Sequence, residues 1–285
     1  MNQPLVSILM TVYNREKYIA EAIESVLAST YTNFELIIVD DCSKDNSVTI
    51  AQSYARKDSR IRLYVNEKNL GDYPNRNKAS SYAKGEYIMF VDSDDKIFPD
   101  GFSNCVEAML SFPHASFGMM DWQSIGKPYT LVSEQAIKNH FFKKPFLTIG
   151  PGGTIIKRSF FEHIGKYPEL YGPANDMYFN LKATAQSEIV MLPFEFMYYR
   201  RHEGQEINNT YAYMYNNYLY LQDALLELPL GLNQSEIQWL QKKNKRRFAF
   251  NIIKYFFKNG DIGKTWDAIQ KTKFTFKDFM IAVVQ

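Results

Sequence analysis

The first hundred residues alternate short apolar runs with segments of helical periodicity. The runs are too uniformly apolar to keep one face in water, so each predicts a buried strand. Between the runs, apolar residues such as Ile19, Ile23 and Val26 recur at three- to four-residue spacing, which predicts helices. The resulting β-α-β-α-β-α-β order is typical of an α/β domain with a mostly parallel sheet. The predicted strands are LVSILMTV (5–12), FELIIVD (34–40), IRLYV (61–65) and EYIMFV (86–91).

The sequence also predicts where several helices begin. Asn14 and Ser43 are residue types that cap helix N-termini, and Pro74 suits the first turn of a helix. After residue 110 the pattern is less regular, with further short strands expected before residue 200. From Tyr211 onward the pattern is helical. These changes divide the chain into residues 1–110, 111–210 and 211–285.

Acidic side chains follow two of the predicted strands. Asp92, Asp94 and Asp95 come directly after the fourth strand, and Asp40 and Asp41 end the second. In open α/β sheets ligands bind outside the carboxyl ends of the strands, where these carboxylates are expected to lie. Crowded carboxylates repel one another unless a cation compensates them, and hard oxygen ligands suit Mg²⁺ or Mn²⁺. The alternative is a solvated turn whose aspartates cap the following helix.

The loop after the first predicted strand, Thr11 to Arg15, lies where a mononucleotide would bind in such a fold. It contains no glycine, so the G-x-G-x-x-G fingerprint is absent and an NAD enzyme is disfavoured. Tyr13 could instead stack on a base.

Composition narrows the class of protein further. Hydrophobic residues make up 46% and charged residues 22%, with a mean hydropathy of −0.34, which excludes a disordered or fibrous chain. No apolar run reaches the roughly 18–20 residues that span a bilayer, and we expect no secretory signal at the N-terminus. With only Cys42 and Cys105, a disulfide framework is excluded, and a cytoplasmic, reducing location is expected.

The net charge of +2 conceals a gradient along the chain. Residues 231–285 hold 11 basic and 4 acidic residues, and residues 239–258 hold seven Lys/Arg, no acid and an aromatic and aliphatic face. This composition fits an amphipathic helix that makes peripheral contact with an anionic membrane. The same face could instead pack on the protein and leave its charges in water. No nucleic-acid-binding motif accompanies the charge, so no nucleic-acid partner is expected.

Several motifs are spaced along the N-terminal part of the chain: VSILMTVYNREKYI, FELIIVDDCSKDNS, Asn69-Leu70-Gly71, Arg76-Asn77 and AKGEYIMFVDSDD. Together they resemble the nucleotide-binding half of family 2 glycosyltransferases, which are inverting enzymes of the GT-A fold. The resemblance implies a Rossmann-like nucleotide-binding sheet with helices on both faces. It makes 1–110 the nucleotide-sugar-binding half, 111–210 the acceptor-binding half and 211–285 a helical C-terminal extension.

The resemblance assigns roles to individual residues near the donor. Thr11 and Tyr13 would contact a uracil-type base, which Asp41 would hold from the second strand. Asp94, the second acid of the Asp-x-Asp motif, would bind Mn²⁺ or Mg²⁺, with Asp95 adjacent. Arg76 would approach the diphosphate. The whole nucleotide-binding set implied in this way is Thr11, Tyr13, Asp41, Arg76, Asp92 and Ser93.

Beyond residue 110 the motifs are fewer but keep the family's order. Where the family usually has Glu-Asp, this chain has Asn175-Asp176, so Asp176 is the implied catalytic base and its acidic neighbour is replaced by an amide. In the YYRRH segment, Arg200 and Arg201 would contact the diphosphate and His202 would contact the metal or a phosphate. The Gln-x-x-Arg-Trp element of the family's processive synthases is absent, which implies one sugar added per encounter.

The expected function is therefore metal-dependent, inverting transfer of a hexosyl or N-acetylhexosaminyl group from a nucleotide-diphosphate sugar, with a UDP-sugar favoured. The acceptor implied is a glycan or lipid-linked glycan of a bacterial surface polysaccharide. Asn175 motivates one alternative, a non-catalytic sugar-nucleotide-binding protein. An aspartate-based phosphotransfer domain, either receiver-like or a phosphoaspartyl phosphatase, is a further alternative. The phosphatase would have Thr or Val where this chain has Lys96.

Overall fold

The structure is a computed structural model that describes residues 3–283. The chain divides into two compact units. The first comprises Met1–Val132, Thr148–Tyr167 and Gln186–Arg201, and the second comprises Ser133–Leu147, Pro168–Ala185 and His202–Gln285.

All ten strands found in the described residues lie in the first unit. Eight of them form one mixed sheet in the order β3-β2-β1-β4-β8-β6-β9-β7, and β5 and β10 form a separate antiparallel pair. The strands are β1 Val6–Val12, β2 Phe34–Asp40, β3 Ile61–Val65, β4 Tyr87–Phe90, β5 Lys96–Ile97, β6 Phe117–Met120, β7 Tyr129–Leu131, β8 Thr154–Lys157, β9 Ile189–Leu192 and β10 Met197–Tyr198.

Helices flank this sheet and make up most of the second unit. In the first unit they are α1 Ile19–Leu27, α2 Ser47–Ala55, α3 Asp72–Ser81, α4 Gly101–Ser111 and α6 Arg158–His163. In the second unit they are α5 Ser133–Phe142, α7 Asn175–Gln186 except for its last residue, α8 Thr210–Glu227, α9 Gln234–Asn259, α10 Ile262–Thr272 and α11 Phe276–Val283. The predicted α/β class, the four N-terminal strands and the helical C-terminal segment are confirmed.

The parallel strands β1, β2 and β4 place the acidic residues at one edge of the sheet. β1 pairs with β2 on one side and β4 on the other, with Val6 opposite both Phe34 and Tyr87. Every residue of β4 is buried, as the uniformly apolar run predicts for a strand covered on both faces. Because the three strands are parallel, the residues that follow Val12, Asp40 and Phe90 emerge at the same edge.

The prediction that Asn14 and Ser43 cap helices is wrong, and both residues make hydrogen bonds between two loops instead. α1 begins at Ile19 and α2 at Ser47, several residues later than expected. Asn14 has φ +53, and its Oδ1 accepts a hydrogen bond from Lys44 N (2.8 Å), while Asn14 N donates to Ser43 Oγ (2.9 Å). The two residues thus join the loops that follow β1 and β2. Pro74 does lie in the first turn of α3, as predicted.

The four C-terminal helices α8–α11 have an aromatic core of their own. Tyr218 of α8 stacks on Phe248 of α9 with ring centroids 4.5 Å apart, and Phe274 meets Phe248 edge-on at 5.1 Å. A capping box of Asn233 and Glu236 begins α9, which ends at Gly260 in the left-handed conformation. Across residues 3–283, no helix combines the length and apolar character needed to cross a membrane.

Candidate active site

The Asp41 carboxylate holds together the loop that leads into α3. Its Oδ1 accepts hydrogen bonds from Asn66 Nδ2 and Leu70 N, both at 2.8 Å, and its Oδ2 accepts one from Gly71 N at 2.9 Å. Gly71 precedes α3 with φ +90, a conformation that favours glycine. A buried carboxylate at a helix N-terminus is stabilised by the N–H groups and by the helix dipole. Asp41 therefore lies at the predicted edge and shapes it.

Three acidic side chains come together after β4, and arginines neutralise them from different sides. Asp94 Oδ2 accepts a hydrogen bond from Arg15 Nε at 3.0 Å, and both side chains are largely buried. Asp92 Oδ1 lies 2.7 Å from Arg76 Nη1. Asp95 is 1% exposed, and it follows Asp92 and Asp94 in the same short segment of sequence. The acidic turn is thus an embedded, charge-compensated structure rather than a solvated one.

Burial perturbs the acid–base behaviour of this cluster. It raises the pKa of Asp92, although the charge of Arg76 opposes the shift. Burial, reinforced by the charge of Asp92, raises the pKa of Asp95 to about 8, even though Asp95 Oδ1 accepts a hydrogen bond from Arg200 N (2.9 Å). Carboxylates whose ionised form is disfavoured in this way gain from a nearby cation.

The chemistry of these donors fits a divalent cation. Asp92, Asp94 and Asp95 offer hard carboxylate oxygens at the carboxyl end of β4. Within the part of the chain that the structure describes, no group of three His, Cys, Asp or Glu could enclose a metal ion. Mg²⁺ at nucleotide sites commonly takes only one or two carboxylates and completes its shell with phosphate and water oxygens. The carboxylates after β4 therefore fit a divalent cation whose remaining ligands would come from a bound diphosphate and water.

Arg76, the predicted diphosphate contact, is buried and engaged with two carboxylates. Its side chain is 8% exposed, and its Nε donates to Asp72 Oδ1 at 2.8 Å, in addition to the contact with Asp92. Asp72 is half-exposed, so Arg76 bridges the first turn of α3 to the acidic turn. In this state its charge is directed at the protein's own acids.

The predicted nucleotide contacts in the first loop differ in accessibility. Tyr13 is 45% exposed, so part of its side chain is accessible to a ligand. Thr11 lies within β1, and its backbone carbonyl accepts a hydrogen bond from Ser93 Oγ at 2.8 Å. Ser93 itself is buried. Its hydroxyl therefore attaches the acidic turn to β1.

The two arginines that follow β10 occupy different environments. Arg200 Nη2 lies 2.8 Å from Glu21 Oε2, its Nε donates to the Asp94 carbonyl at 2.8 Å, and its guanidinium lies over the ring of Tyr18. These contacts tie the end of the first unit to α1 and to the acidic turn. Arg201 is exposed.

In the second unit, Asp176 lies in the first turn of α7 and is half-buried. The N-terminus of a helix stabilises an ionised carboxylate, which a general base requires. The neighbouring Asn175 is 2% exposed, and its two polar atoms serve the preceding turn. Its Oδ1 accepts from Tyr171 N at 2.9 Å, and its Nδ2 donates to the Gly172 carbonyl at 2.7 Å. Asn175 is thus a structural residue that positions the start of α7.

Carboxylates from α8 surround the same turn. Tyr171 and Tyr178 stack with centroids 5.0 Å apart, and their hydroxyls donate to Asp223 and Glu227, each at 2.9 Å. Burial raises the pKa of Tyr220, the charge of Arg247 opposes this shift, and the charge of Asp176 adds to it. The base candidate is therefore set among tyrosines and acids.

His202, the predicted metal contact, begins the last segment of the second unit. It is half-buried, and its backbone N–H donates to Gln205 Oε1 at 3.0 Å. Its role as a ligand stays a prediction.

Arg15 is the site residue that the sequence-based set does not include. It sits in the loop after β1, between the Asn14–Ser43 link and Asp94, and Ser47 Oγ accepts a hydrogen bond from its backbone N–H at 2.8 Å. The signal available in the sequence was a lone cation in a loop expected to bind a nucleotide. Its pairing with Asp94, 79 residues away, is a tertiary contact.

An α/β sheet with a compensated acidic cluster at the carboxyl ends of its strands fits a nucleotide-binding transferase and also fits the phosphotransfer alternatives. The chain belongs to glycosyl transferase family 2, which matches residues 7–165, more than half of its length. This membership favours the transferase interpretation over the phosphotransfer alternatives.

Curated relatives bear glycosyltransferase names. The chain is 37% identical over 147 residues to the putative teichuronic acid biosynthesis glycosyltransferase TuaG of Bacillus subtilis, covering 48% of this chain and 58% of that one. It is 44% identical over 91 residues to glycosyltransferase GlyG of Streptococcus pneumoniae, covering 32% and 30%. The matched region thus spans little more than half, or less, of the length of these relatives.

Solved structures share the fold over nearly the whole chain. S. aureus TarS 1–349 in complex with UDP-GlcNAc superposes with a TM-score of 0.73 at 22% identity, covering 98% of this chain and 81% of that one. Mannosyltransferase PcManGT from Pyrobaculum calidifontis, in complex with GDP-Man and Mn²⁺, gives a TM-score of 0.66 at 14% identity, covering 100% and 87%. The GT-A fold expected from the resemblance is confirmed.

Proposed function

We propose that this protein is a metal-dependent, inverting, non-processive glycosyltransferase that uses a nucleotide-diphosphate sugar. The observation that carries the proposal is the embedded cluster of Asp92, Asp94 and Asp95 at the carboxyl end of β4, in a chain of family 2. We favour a UDP-sugar, with transfer of a hexosyl or N-acetylhexosaminyl group, because TarS has been solved with UDP-GlcNAc. The GDP-Man complex of PcManGT makes a guanine nucleotide the competing choice.

The residues of this chain divide the work between donor and acceptor. Tyr13 would stack on the base, and Asp41 would hold the base from its position at the N-terminus of α3. Asp94, with His202, would hold Mn²⁺ or Mg²⁺, which when bound neutralises charge on the leaving diphosphate. Arg76, Arg200 and Arg201 would supply further positive charge as the diphosphate arrives. Thr11, Asp92 and Ser93 complete the proposed nucleotide-binding set.

Asp176 would act as the general base on the acceptor hydroxyl. A hydroxyl is a weak nucleophile, and a carboxylate that takes its proton as it attacks raises its reactivity. One displacement inverts the anomeric centre and needs no covalent sugar–enzyme intermediate, unlike retaining two-carboxylate hydrolysis. The contacts of Asn175 support this assignment. Its side chain bonds within the preceding turn, so the amide that replaces the family's usual acid keeps Asp176 at the start of α7.

We further propose a division of labour along the chain and a cellular setting. Residues 1–110 would bind the donor, 111–210 would bind the acceptor, and 211–285 would be a helical extension. The acceptor would be a glycan or lipid-linked glycan of a bacterial surface polysaccharide, a proposal supported by the name of TuaG. The free thiols of Cys42 and Cys105 fit a cytoplasmic location, with peripheral contact at the inner face of the membrane.

Nucleotide binding tests the donor half of the proposal. Thermal unfolding would be followed with UDP, GDP, CMP or ADP, each with Mn²⁺ or EDTA, for wild type, Asp94→Ala and the exposed control Asp100→Ala. A ligand that binds only the folded state raises the melting temperature. We expect one diphosphate to stabilise wild type and the control in the presence of Mn²⁺ and to leave Asp94→Ala unaffected. Equal stabilisation of Asp94→Ala would overturn the metal assignment.

Turnover tests the acceptor half and separates it from the binding-only alternative. With the sugar of the identified nucleotide, release of the nucleoside diphosphate is measured for wild type and Asp176→Asn, and the anomeric configuration of the product is read by NMR. We expect Asp176→Asn to bind the nucleotide as wild type does while losing at least about 10²-fold in kcat. Tight binding by wild type without turnover would support the non-catalytic sugar-nucleotide binder.

A further inference from the structure

The long helix α9 has two faces of opposite character. Phe248, Ala249 and Ile252 point into the core formed with α8, α10 and α11. On the other side lies a row of exposed residues at three- and four-residue spacing, all within a sector of about 80° at ~100° per residue. We call this row the α9 stripe, and it consists of Trp239, Lys243, Arg246, Phe250, Lys254 and Phe257.

The aromatic members of the α9 stripe are not required by the fold of α8–α11. Phe250 is 52% exposed and Phe257 80%, while Trp239 is 49% exposed and packs part of its ring against Phe142 of α5, with ring centroids 5.6 Å apart. Single exposed apolar side chains are ordinary, but a water-facing helix surface normally carries polar residues instead of three large rings in one row. An exposed apolar row of this kind marks an interaction surface.

The basic members are interleaved with those rings. Lys243 Nζ lies 4.7 Å from the centroid of the Trp239 ring, and the Arg246 guanidinium lies 5.7 Å from that of Phe250. Lys245, by contrast, points to the core side and forms an ion pair with Asp278 of α11 at 2.7 Å. The helix therefore uses one lysine for its own packing and displays other cations beside the exposed rings.

Charge selects the partner for this surface. No acidic residue occurs between Trp239 and Lys258, while seven basic residues do. A second copy meeting the same stripe about a two-fold axis would oppose cations to cations. An anionic bilayer instead offers phosphates to the cations and an interfacial region in which aromatic rings, tryptophan above all, are stabilised.

We propose that the α9 stripe is a membrane-docking surface that rests on anionic phospholipid, with its cations at the headgroup phosphates and its rings at the interface. The stripe spans 18 intervals of an α-helix, about 27 Å at ~1.5 Å per residue, enough to contact several lipids at once. The proposal holds whichever donor is used, because none of these residues belongs to the proposed donor or base machinery.

Vesicle binding by the full chain, without nucleotide or metal, tests the proposal. The vesicles are either pure phosphatidylcholine or about one third phosphatidylglycerol. We expect wild type to co-sediment with the anionic vesicles only, and less so at high salt. Each cation near such a surface contributes about fivefold, so the triple variant Lys243→Gln, Arg246→Gln, Lys254→Gln should lose about a hundredfold in affinity. The matched control is a triple change of exposed lysines elsewhere, K68Q, K127Q and K144Q.

A second pair of variants tests the rings separately from the charge. Phe257→Ser should weaken binding to anionic vesicles several-fold, while Trp122→Ser, at a half-exposed ring in the first unit, should not. Melting temperatures equal to that of wild type verify that these surface variants are folded. Failure of wild type to bind anionic vesicles, or equal loss in the stripe and control triples, would overturn the proposal. A lipid-free dimer that Phe257→Ser dissociates would also overturn it, in favour of a second copy.

Discussion

Replacing Asp41 by alanine should destabilise the protein strongly even in the absence of nucleotide. Its carboxylate is 3% exposed and accepts three hydrogen bonds, from Asn66 Nδ2, Leu70 N and Gly71 N. Alanine removes this acceptor, although Gly71 N can still donate to Asn69 Oδ1 (3.1 Å) and Asn66 Nδ2 keeps its other bond, to Asn75 Oδ1 (2.9 Å). Leu70 and Gly71 are half-buried, so water can replace part of the loss, whereas Asn66 is buried.

The expected cost follows from these three donors. An N–H that loses its acceptor costs about 1–3 kcal/mol when fully buried and about 1 kcal/mol or less where water or another acceptor can replace it, so we expect about 2–4 kcal/mol in total. Asp41→Asn keeps one acceptor oxygen and should cost about half as much. On a total stability of ~5–15 kcal/mol, this loss would bring the alanine variant close to its folding threshold only at the low end of that range.

Urea unfolding at neutral pH, with EDTA and no nucleotide, measures this effect for wild type, Asp41→Ala and Asp41→Asn. Asp100→Ala is the control, because Asp100 accepts one exposed side-chain hydrogen bond, from Thr30 Oγ1 at 2.9 Å. We expect the control to lie within about 0.5 kcal/mol of wild type. If Asp41→Ala also lies within ~1 kcal/mol of wild type, Asp41 does not hold the loop before α3 and the reasoning fails.

Three further variants test other parts of the site. Arg15→Gln should tighten Mn²⁺ binding in the absence of nucleotide on the order of tenfold, because Asp94 loses its competing guanidinium; unchanged affinity by EPR would contradict this. Asp95 has a folded pKa of about 8, above its unfolded value, so its stabilising protonation is present at low pH and lost as pH rises through about 8. In urea titrations of the metal-free protein, Asp95→Asn should therefore lose less stability between acidic and alkaline pH than wild type, and parallel pH profiles would refute the shift. Asn175→Ala should cost about 1–2 kcal/mol, because the backbone of the turn at 171–172 loses two hydrogen bonds; a calorimetric stability equal to that of wild type would exclude this role.

Much of the first unit could be predicted because its signals are local. A parallel strand covered on both faces must be apolar throughout, and β1, β2 and β4 are recognisable for that reason alone. The acidic residues that follow β2 and β4 could be placed at a ligand-binding edge because strand direction determines where a strand's last residue lies.

The helix-cap predictions were wrong because a preference read from neighbouring residues was overridden by a contact with a residue far away in the sequence. Asn14 and Ser43 have the capping side chains that a helix start prefers, but each finds a better partner in the other's loop across 29 residues. For Asn175 the sequence showed only that an amide replaces the family's usual acid, and the structure adds that its side chain bonds within its own turn. Neither outcome changes the residue types; each changes the donor or acceptor that the side chain meets.

The sequence alone determined the α/β class, the carboxylates after β4 and the family, because these depend on periodicity and on spacing between neighbours. Only the tertiary structure decided which cation neutralises which carboxylate, since Arg15 and Asp94 are brought together by the pairing of β1 with β4. It also decided which face of α9 is buried, because that depends on where α8, α10 and α11 pack against the helix. Periodicity shows that a face exists, while packing selects the one that remains exposed.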